Sequence, residues 1–273
     1  MKIIRIFMIV FVAFLSAGKS NGQTAGEVID KYLSAIGGKE KIIQIKSFYT
    51  EGKMEVMGME GKIKTTILNG KGYRQETEMM SQIQVTCLNE KGGWLTNPFQ
   101  GSTAPNDMPA EIYNMSKSKL IVGDPFVNYQ ASDVKVELAG NETIGSVNAI
   151  KIKMIKADNS FTTFYFDPTT FFLIRLVQKI SMQGQEAEMV LNYSNYKEAG
   201  KGYIVPFTTE TEMGNGMKVV GTILTAEVDK AVDPAIFNKP WSGLCISTRI
   251  NNKFEKKLPE EAASFLLQHR SVL

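Results

Sequence analysis

Two periodicities divide this chain. Thr24-Ala25-Gly26-Glu27 reads as a capping box, in which the Thr24 hydroxyl accepts from the Glu27 amide and the Glu27 carboxylate reaches back. Val28, Ile29, Tyr32, Leu33 and Ile36 then recur every three or four residues, and Gly37-Gly38 stop the pattern. This predicts an amphipathic helix over 25–36, with a short helical turn over 39–44 carrying Ile42 and Ile43. From residue 46 the period becomes two. Phe48, Met54 and Val56 share one parity, and Glu51, Lys53 and Glu55 share the other. Gly58 to Gly61 reads as a turn. Ile63, Thr65 and Ile67 then oppose Lys62, Lys64 and Thr66, and Asn69-Gly70 is a strong hairpin signal. Tyr73, Gln75, Thr77 and Met79 oppose Arg74, Glu76 and Glu78, a fourth strand holds Ile83, Val85 and Cys87, and Gly93-Trp94-Leu95 makes a fifth. Short strands with one charged and one apolar face, joined by tight turns, describe an antiparallel meander.

Residues 97–130 interrupt it. Asn97-Pro98, Gly101 and Pro105 mark a loop, Asn106 or Asp107 is placed to cap a helix with Pro109 in its first turn, and Met108, Ile112 and Met115 fall on one stripe. The period of two returns at Asp133 and runs to about Val228, with turns at Asp167-Pro168, Gly184, Gly200/Gly202 and Asn215-Gly216. Strands on both sides of one helical insertion predict a single sheet. The expected organisation is a leader over 1–22, a body over 23–240 and an appended tail over 241–273, where the strand pattern has stopped. Pro259–His269 holds a weak apolar stripe with no assignable role.

Charge changes the picture only once it is partitioned. The formal charge is +3, yet residues 1–22 contain Lys2, Arg5 and Lys19 and no acid, so the remainder holds equal numbers of acidic and basic residues. A neutral body lacks the basic excess of a nucleic-acid binder. The uncharged run from Ile6 to Gly18 is too short for a spanning helix of about 20 residues and suits the core of a signal peptide, with Ser20 and Gly22 before a cut at Gln23. The expected protein is therefore exported and not transmembrane. Cys87 and Cys245 are the only cysteines; an oxidising compartment would permit a bridge, while Cys87 also fits as a small buried core residue.

Catalytic chemistry finds little purchase. His269 is the single histidine, and no Cys-x-x-Cys, His-Glu-x-x-His, Gly-x-Ser-x-Gly or phosphate-loop pattern occurs. Glu76/Glu78, Glu186/Glu188 and Glu210/Glu212 sit two apart on strands among other polar residues, which reads as a solvated face. No cofactor, metal site or enzymatic activity is implied. Methionine is abundant, with 14 in the chain. Its flexible, polarisable side chain suits either ordinary core filling or a surface that accepts apolar guests of variable shape. The expected lining of an apolar cavity is Phe48, Met54, Val56, Ile63, Ile67, Met79, Ile83, Val85 and Trp94, with Met108, Ile112 and Met115 on a lid.

Several segments together resemble a known family. A leader precedes a helix ending in Ala35-Ile36-Gly37-Gly38, Lys46-Ser47-Phe48 opens the strands, and a turn over Trp94–Pro98 leads into the insertion. Phe164-Tyr165-Phe166-Asp167-Pro168-Thr169, Gly202-Tyr203-Ile204-Val205-Pro206 and Val232-Asp233-Pro234-Ala235-Ile236-Phe237 follow. Over about residues 24–240 this resembles the LolA-like outer-membrane lipoprotein-sorting and carrier superfamily, in its Bacteroidetes-type exported branch. The resemblance implies a mainly β, α+β fold: a curved antiparallel half-barrel of about 11 strands with an N-terminal helix and a helical lid. It implies a periplasmic carrier or binder of lipids or lipoprotein acyl chains, or else an envelope accessory module that binds protein partners on the same fold. Family carriers tie the lid with an arginine; the body has only Arg74 and Arg175, and neither aligns with that role.

Overall fold

The computed structural model describes residues 23–240 except 124, 132, 183, 184 and 215. The expected leader and its cut, the tail over 241–273 and Cys245 lie outside the described residues. Thirteen strands form one antiparallel sheet: β1 (Ser47–Val56), β2 (Met59–Leu68), β3 (Gly72–Met79), β4 (Gln82–Asn89), β5 (Gly92–Asn97), β6 (Ser102–Asp107), β7 (Val134–Ile144), β8 (Val147–Lys156), β9 (Phe161–Phe166), β10 (Leu173–Met182), β11 (Gln185–Gly200), β12 (Tyr203–Met213) and β13 (Lys218–Val228). Their spatial order is β6-β5-β4-β3-β2-β1-β13-β12-β11-β10-β9-β8-β7, so β1 and β13 join two meanders in the middle of a sheet that does not close. This is the curved half-barrel, with two strands more than expected.

One of the additional strands is β6, in the segment that reads as loop in the sequence. It pairs Trp94 with Asp107 and Leu95 with Asn106. Asn106 and Asp107 are thus strand residues, and Pro109 takes the N-cap position of the following helix. Pro105 stands on this edge strand, where a missing N–H interrupts no ladder on the open side.

Helix α1 (Ala25–Ala35) starts as its sequence dictates. Thr24 Oγ1 accepts from the Glu27 amide at 3.2 Å, and Glu27 Oε2 accepts from the Thr24 amide at 2.8 Å. Its apolar stripe, Val28, Ile29 and Leu33, packs with Ile42 of α2 (Lys39–Ile42) and with Val122, Phe126 and Val127 onto Ile150, Ile152, Phe164, Phe166, Val205 and Phe207 of the sheet. Phe126 is the hub, edge-on to Tyr32, Phe164 and Phe166 at 4.7–5.6 Å between ring centres. Helix α3 (Ala110–Ser116) covers the other half of the same face, where Tyr113 and Ile112 pack with Met108 and Leu120 against Tyr73, Leu88 and Leu95.

The opposite face of β3–β5 is covered by a strap over 230–239. Val232 and Phe237 pack there on Leu68, Val85, Cys87 and Trp94. The Phe237 carbonyl accepts from Trp94 Nε1 at 3.1 Å and from Cys87 Sγ and Asn89 Nδ2 at 3.4 Å. Arg74 Nη1 donates to the Ile236 carbonyl at 3.1 Å, and Lys239 pairs with Asp107 at 2.8 Å. Gly72 makes this seat possible, because a Cβ on it would lie 2.4 Å from the Phe237 ring.

Candidate functional site

The helix-covered face of β1–β4 can be followed row by row, since directly paired residues project to one side. The first row is Phe48, Ile67, Tyr73 and Leu88. The second is Thr50, Thr65, Gln75 and Thr86. The third is Gly52, Ile63, Thr77 and Gln84, and the fourth is Met54, Gly61, Met79 and Gln82. None of these residues carries a formal charge. Glu51, Lys53, Lys62, Lys64, Arg74, Glu76 and Glu78 all stand on the alternate positions, facing away from the helices.

The fourth row opens into a methionine cluster. Met54 and Val56 of β1, Met79 of β3, Met189 and Leu191 of β11, Met213 of β12, and Met217 and Val219 at the start of β13 form one buried group, with Phe99, Leu176 and Tyr193 packed on it. Gly61 leaves the space between the first two methionines, for a Cβ there would meet Met54 Cγ and Met79 Cε at 3.3 Å and the Glu78 carbonyl at 2.7 Å. A cleft of about 350 Å³ adjoins the cluster at the β1–β2 and β12–β13 turns, lined by Glu55, Met57, Gly58, Gly216, Met217, Lys218 and Val220.

The nine sequence-predicted lining residues separate into groups. Met54, Val56 and Met79 meet in the methionine cluster. Phe48 and Ile67 are half-buried on the same face, Phe48 edge-on to Tyr203 at 5.6 Å. Ile63 shares that face in the third row. Ile83, Val85 and Trp94 do not. The two-residue turn at Met80-Ser81 pairs Met79 with Gln82, which puts the even-numbered residues of β4 on the helix side. Val85 and Trp94 are buried instead beneath the strap, and Ile83 is 53% exposed on that outer side. On the lid, Met108 is buried and Ile112 packs beside it, but Met115 is 60% exposed, and Tyr113 and Ser116 take the inward positions.

The inward list also omits the second row. Thr50, Thr65 and Gln75 are half-buried, and Thr86 is buried. Along β3, Tyr73 Oη donates to Gln75 Oε1, and Gln75 Nε2 donates to Thr77 Oγ1 at 3.5 Å. Burial raises the Tyr73 and Tyr193 phenols above their ordinary range, so both remain neutral donors. A cation from the segment after α3 lies against this wall: Lys119 Nζ is 5.3 Å from the centre of the Tyr73 ring. Among the described residues no group of three or more histidine, cysteine, aspartate or glutamate side chains is placed to hold a metal ion. The described helices include none long and apolar enough to cross a membrane. An uncharged, partly hydrogen-bonding wall opening onto sulfur-rich apolar surface can hold a guest by burial and by neutral hydrogen bonds.

An open, curved antiparallel sheet with helices on the one face that also carries this apolar surface defines a LolA-like fold. Solved structures share it. A LolA superfamily protein from Nitrosomonas europaea superposes with a TM-score of 0.53 at 14% identity, over 80% of this chain and 99% of that one. An outer membrane lipoprotein-sorting protein domain from Vibrio parahaemolyticus gives 0.54 at 13% identity, over 78% and 96%. A DUF1329 family protein from Desulfovibrio piger gives 0.54 at 12%, over 77% and 95%. No family model matches the sequence, and no curated protein matches it. At these identities the likeness is one of fold.

Proposed function

We propose that this protein is an exported, periplasmic binder or carrier of lipids or lipoprotein acyl chains, acting without catalysis. The observation that carries the reading is the convergence of Met54, Met79, Met189, Met213 and Met217 into one apolar cluster on the helix-covered face. Unbranched thioether side chains repack at low cost, so a chain that enters can be enclosed and later released. Each methylene buried is worth about 0.8 kcal/mol, which gives a sixteen-carbon chain roughly 12 kcal/mol before ordering costs are subtracted. Helix α3 covers the Tyr73, Leu88 and Leu95 end of the same face, and Phe99, Leu176 and Tyr193 pack on the methionines. The fold shared with a lipoprotein-sorting domain supports the same reading.

A second reading is an envelope accessory module that docks protein partners. The close packing of the cluster favours it, since Met79 and Met189 are fully enclosed by the protein's own side chains. Native mass spectrometry of the purified protein, before and after organic extraction and after adding phospholipid or acylated peptide, separates the two. Carriage requires discrete lipid adducts that extraction removes and addition restores. A spectrum without adducts under all conditions, together with crosslinking to a stable protein partner, refutes carriage.

A further inference from the structure

Across β1–β4 the inner wall is banded. The first row is apolar, from Phe48 to Leu88; the second is wholly hydrogen-bonding, with Thr50, Thr65, Gln75 and Thr86 on four successive strands; the third mixes Ile63 with Thr77 and Gln84; the fourth brings in Met54 and Met79. Strands lie about 4.8 Å apart, so the second row is a stripe about 14 Å long, and the rows follow one another at about 6.7 Å. Ordinary core packing does not call for such a stripe, because a buried hydroxyl or amide costs stability unless it is bonded. Three of its four members are only half-buried, so the stripe faces space that a guest can reach.

We propose that this stripe is the polar subsite of the groove and that it takes an uncharged ester or amide group flanked by hydrocarbon on both sides. The assignment rests on the acyl-chain reading above and narrows it to a ligand class. Threonine hydroxyls and the Gln75 amide both donate and accept, which suits a carbonyl oxygen or an amide. Hydrocarbon on one side of the linkage would meet the half-buried Phe48 and Ile67, and hydrocarbon on the other would reach the buried Met54 and Met79 as the methionine side chains repack. A carboxylate or phosphate on the stripe would lose its hydration with no counter-ion on the strand wall. Lys119, at the Tyr73 end, is a cation that would favour an acid instead, and a fatty acid therefore belongs in the test.

The experiment uses the full purified chain and three fluorescent probes of matched chain length: a diacylglycerol, the dialkylglycerol ether that lacks both carbonyls, and a free fatty acid. The diacylglycerol should bind about tenfold more tightly than the ether and more tightly than the fatty acid. A neutral hydrogen bond is worth roughly three- to tenfold in affinity, so Thr65→Val and Gln75→Leu should each shrink the ester preference by that factor and leave ether binding unchanged. Thr50→Val supplies a third position should either variant misfold. Equal binding of ester and ether, a fatty acid that outcompetes both, or a preference that survives all three substitutions overturns the subsite while leaving acyl-chain binding intact. Binding of none of the probes overturns both.

Discussion

The strap provides the sharpest test of the packing. Phe237 is 3% exposed, and its ring sits over the bare backbone of Gly72. Phe237→Ala leaves the carbonyl acceptor in place but deletes the ring, a change that costs about 3–5 kcal/mol at a closed site. Gly72→Ala perturbs the same contact from the other side. The added Cβ would lie 2.4 Å from Phe237 Cγ and 2.5 and 2.7 Å from the two Cδ atoms, well inside the 3.4 Å at which ordinary contact begins. Forced overpacking of that kind costs about 1–3 kcal/mol. Once the ring is gone the clash is gone, so Gly72→Ala should be nearly silent in the Phe237→Ala background. The coupling energy of the cycle then equals the whole cost of the glycine substitution. Urea unfolding of the four proteins measures it. Trp94 emission reports on the strap directly in a Trp241→Phe background, because Trp94 Nε1 donates to the Phe237 carbonyl and its indole should move towards water when the strap lifts. Equal cost of Gly72→Ala in both backgrounds, or a Phe237→Ala loss below about 1 kcal/mol, would refute the placement of the ring.

Three further outcomes are expected. Thr24→Ala removes the hydroxyl half of the α1 capping box and should lower stability by about 1 kcal/mol, with Thr24→Ser restoring it; an unchanged urea midpoint counts against the cap. Burial pushes the Lys119 ammonium down to about 7, whereas in the unfolded chain the amine titrates near about 10.4. Between those values the unfolded state binds the extra proton, so stability rises with pH across that window. Lys119→Met should flatten the rise, and a slope identical to that of the parent protein would refute the assignment. Burial also pushes the Cys87 thiol up to about 12. In a Cys245→Ser background Cys87 should resist iodoacetamide at pH about 8 and react readily after Phe237→Ala, because the thiolate is the nucleophile; rapid alkylation with the strap intact would show that the thiol is not covered.

Local rules carry the architecture far. The capping box places α1, the alternation places the strands, and the residues of β2 and β3 face the way their parity implies, with Tyr73, Gln75, Thr77 and Met79 inward. The rule fails at β4, for a physical reason. Ile83, Val85 and Cys87 are the more apolar parity, and a sheet with one covered face would turn them to the core. Here the outer face of β3–β5 is covered too, by Phe237 from a segment more than 140 residues away, and the even parity of β4, Gln82-Gln84-Thr86-Leu88, goes inward. No local pattern signals that cover.

The same exchange hid the polar row. Thr65 and Gln75 look like neutral interruptions of an apolar parity when each strand is read alone. Only the register brings Thr50, Thr65, Gln75 and Thr86 side by side on four strands, and register depends on turns whose exact length the hydrophobic pattern does not fix. The hairpin after β1 shows this. It turns at Met57-Gly58 and not over Gly58 to Gly61, and Gly61 thereby enters β2 between the two methionines, where its missing side chain lets them meet. A turn one residue longer would pair Met54 with Lys62 in place of Gly61, turning the lysines of β2 inward and Ile63, Thr65 and Ile67 to solvent, and the wall would lose both its neutrality and its bands. The uncharged groove is therefore a property of the register, and the residues that determine it include turn positions and a glycine as well as the apolar side chains that line it.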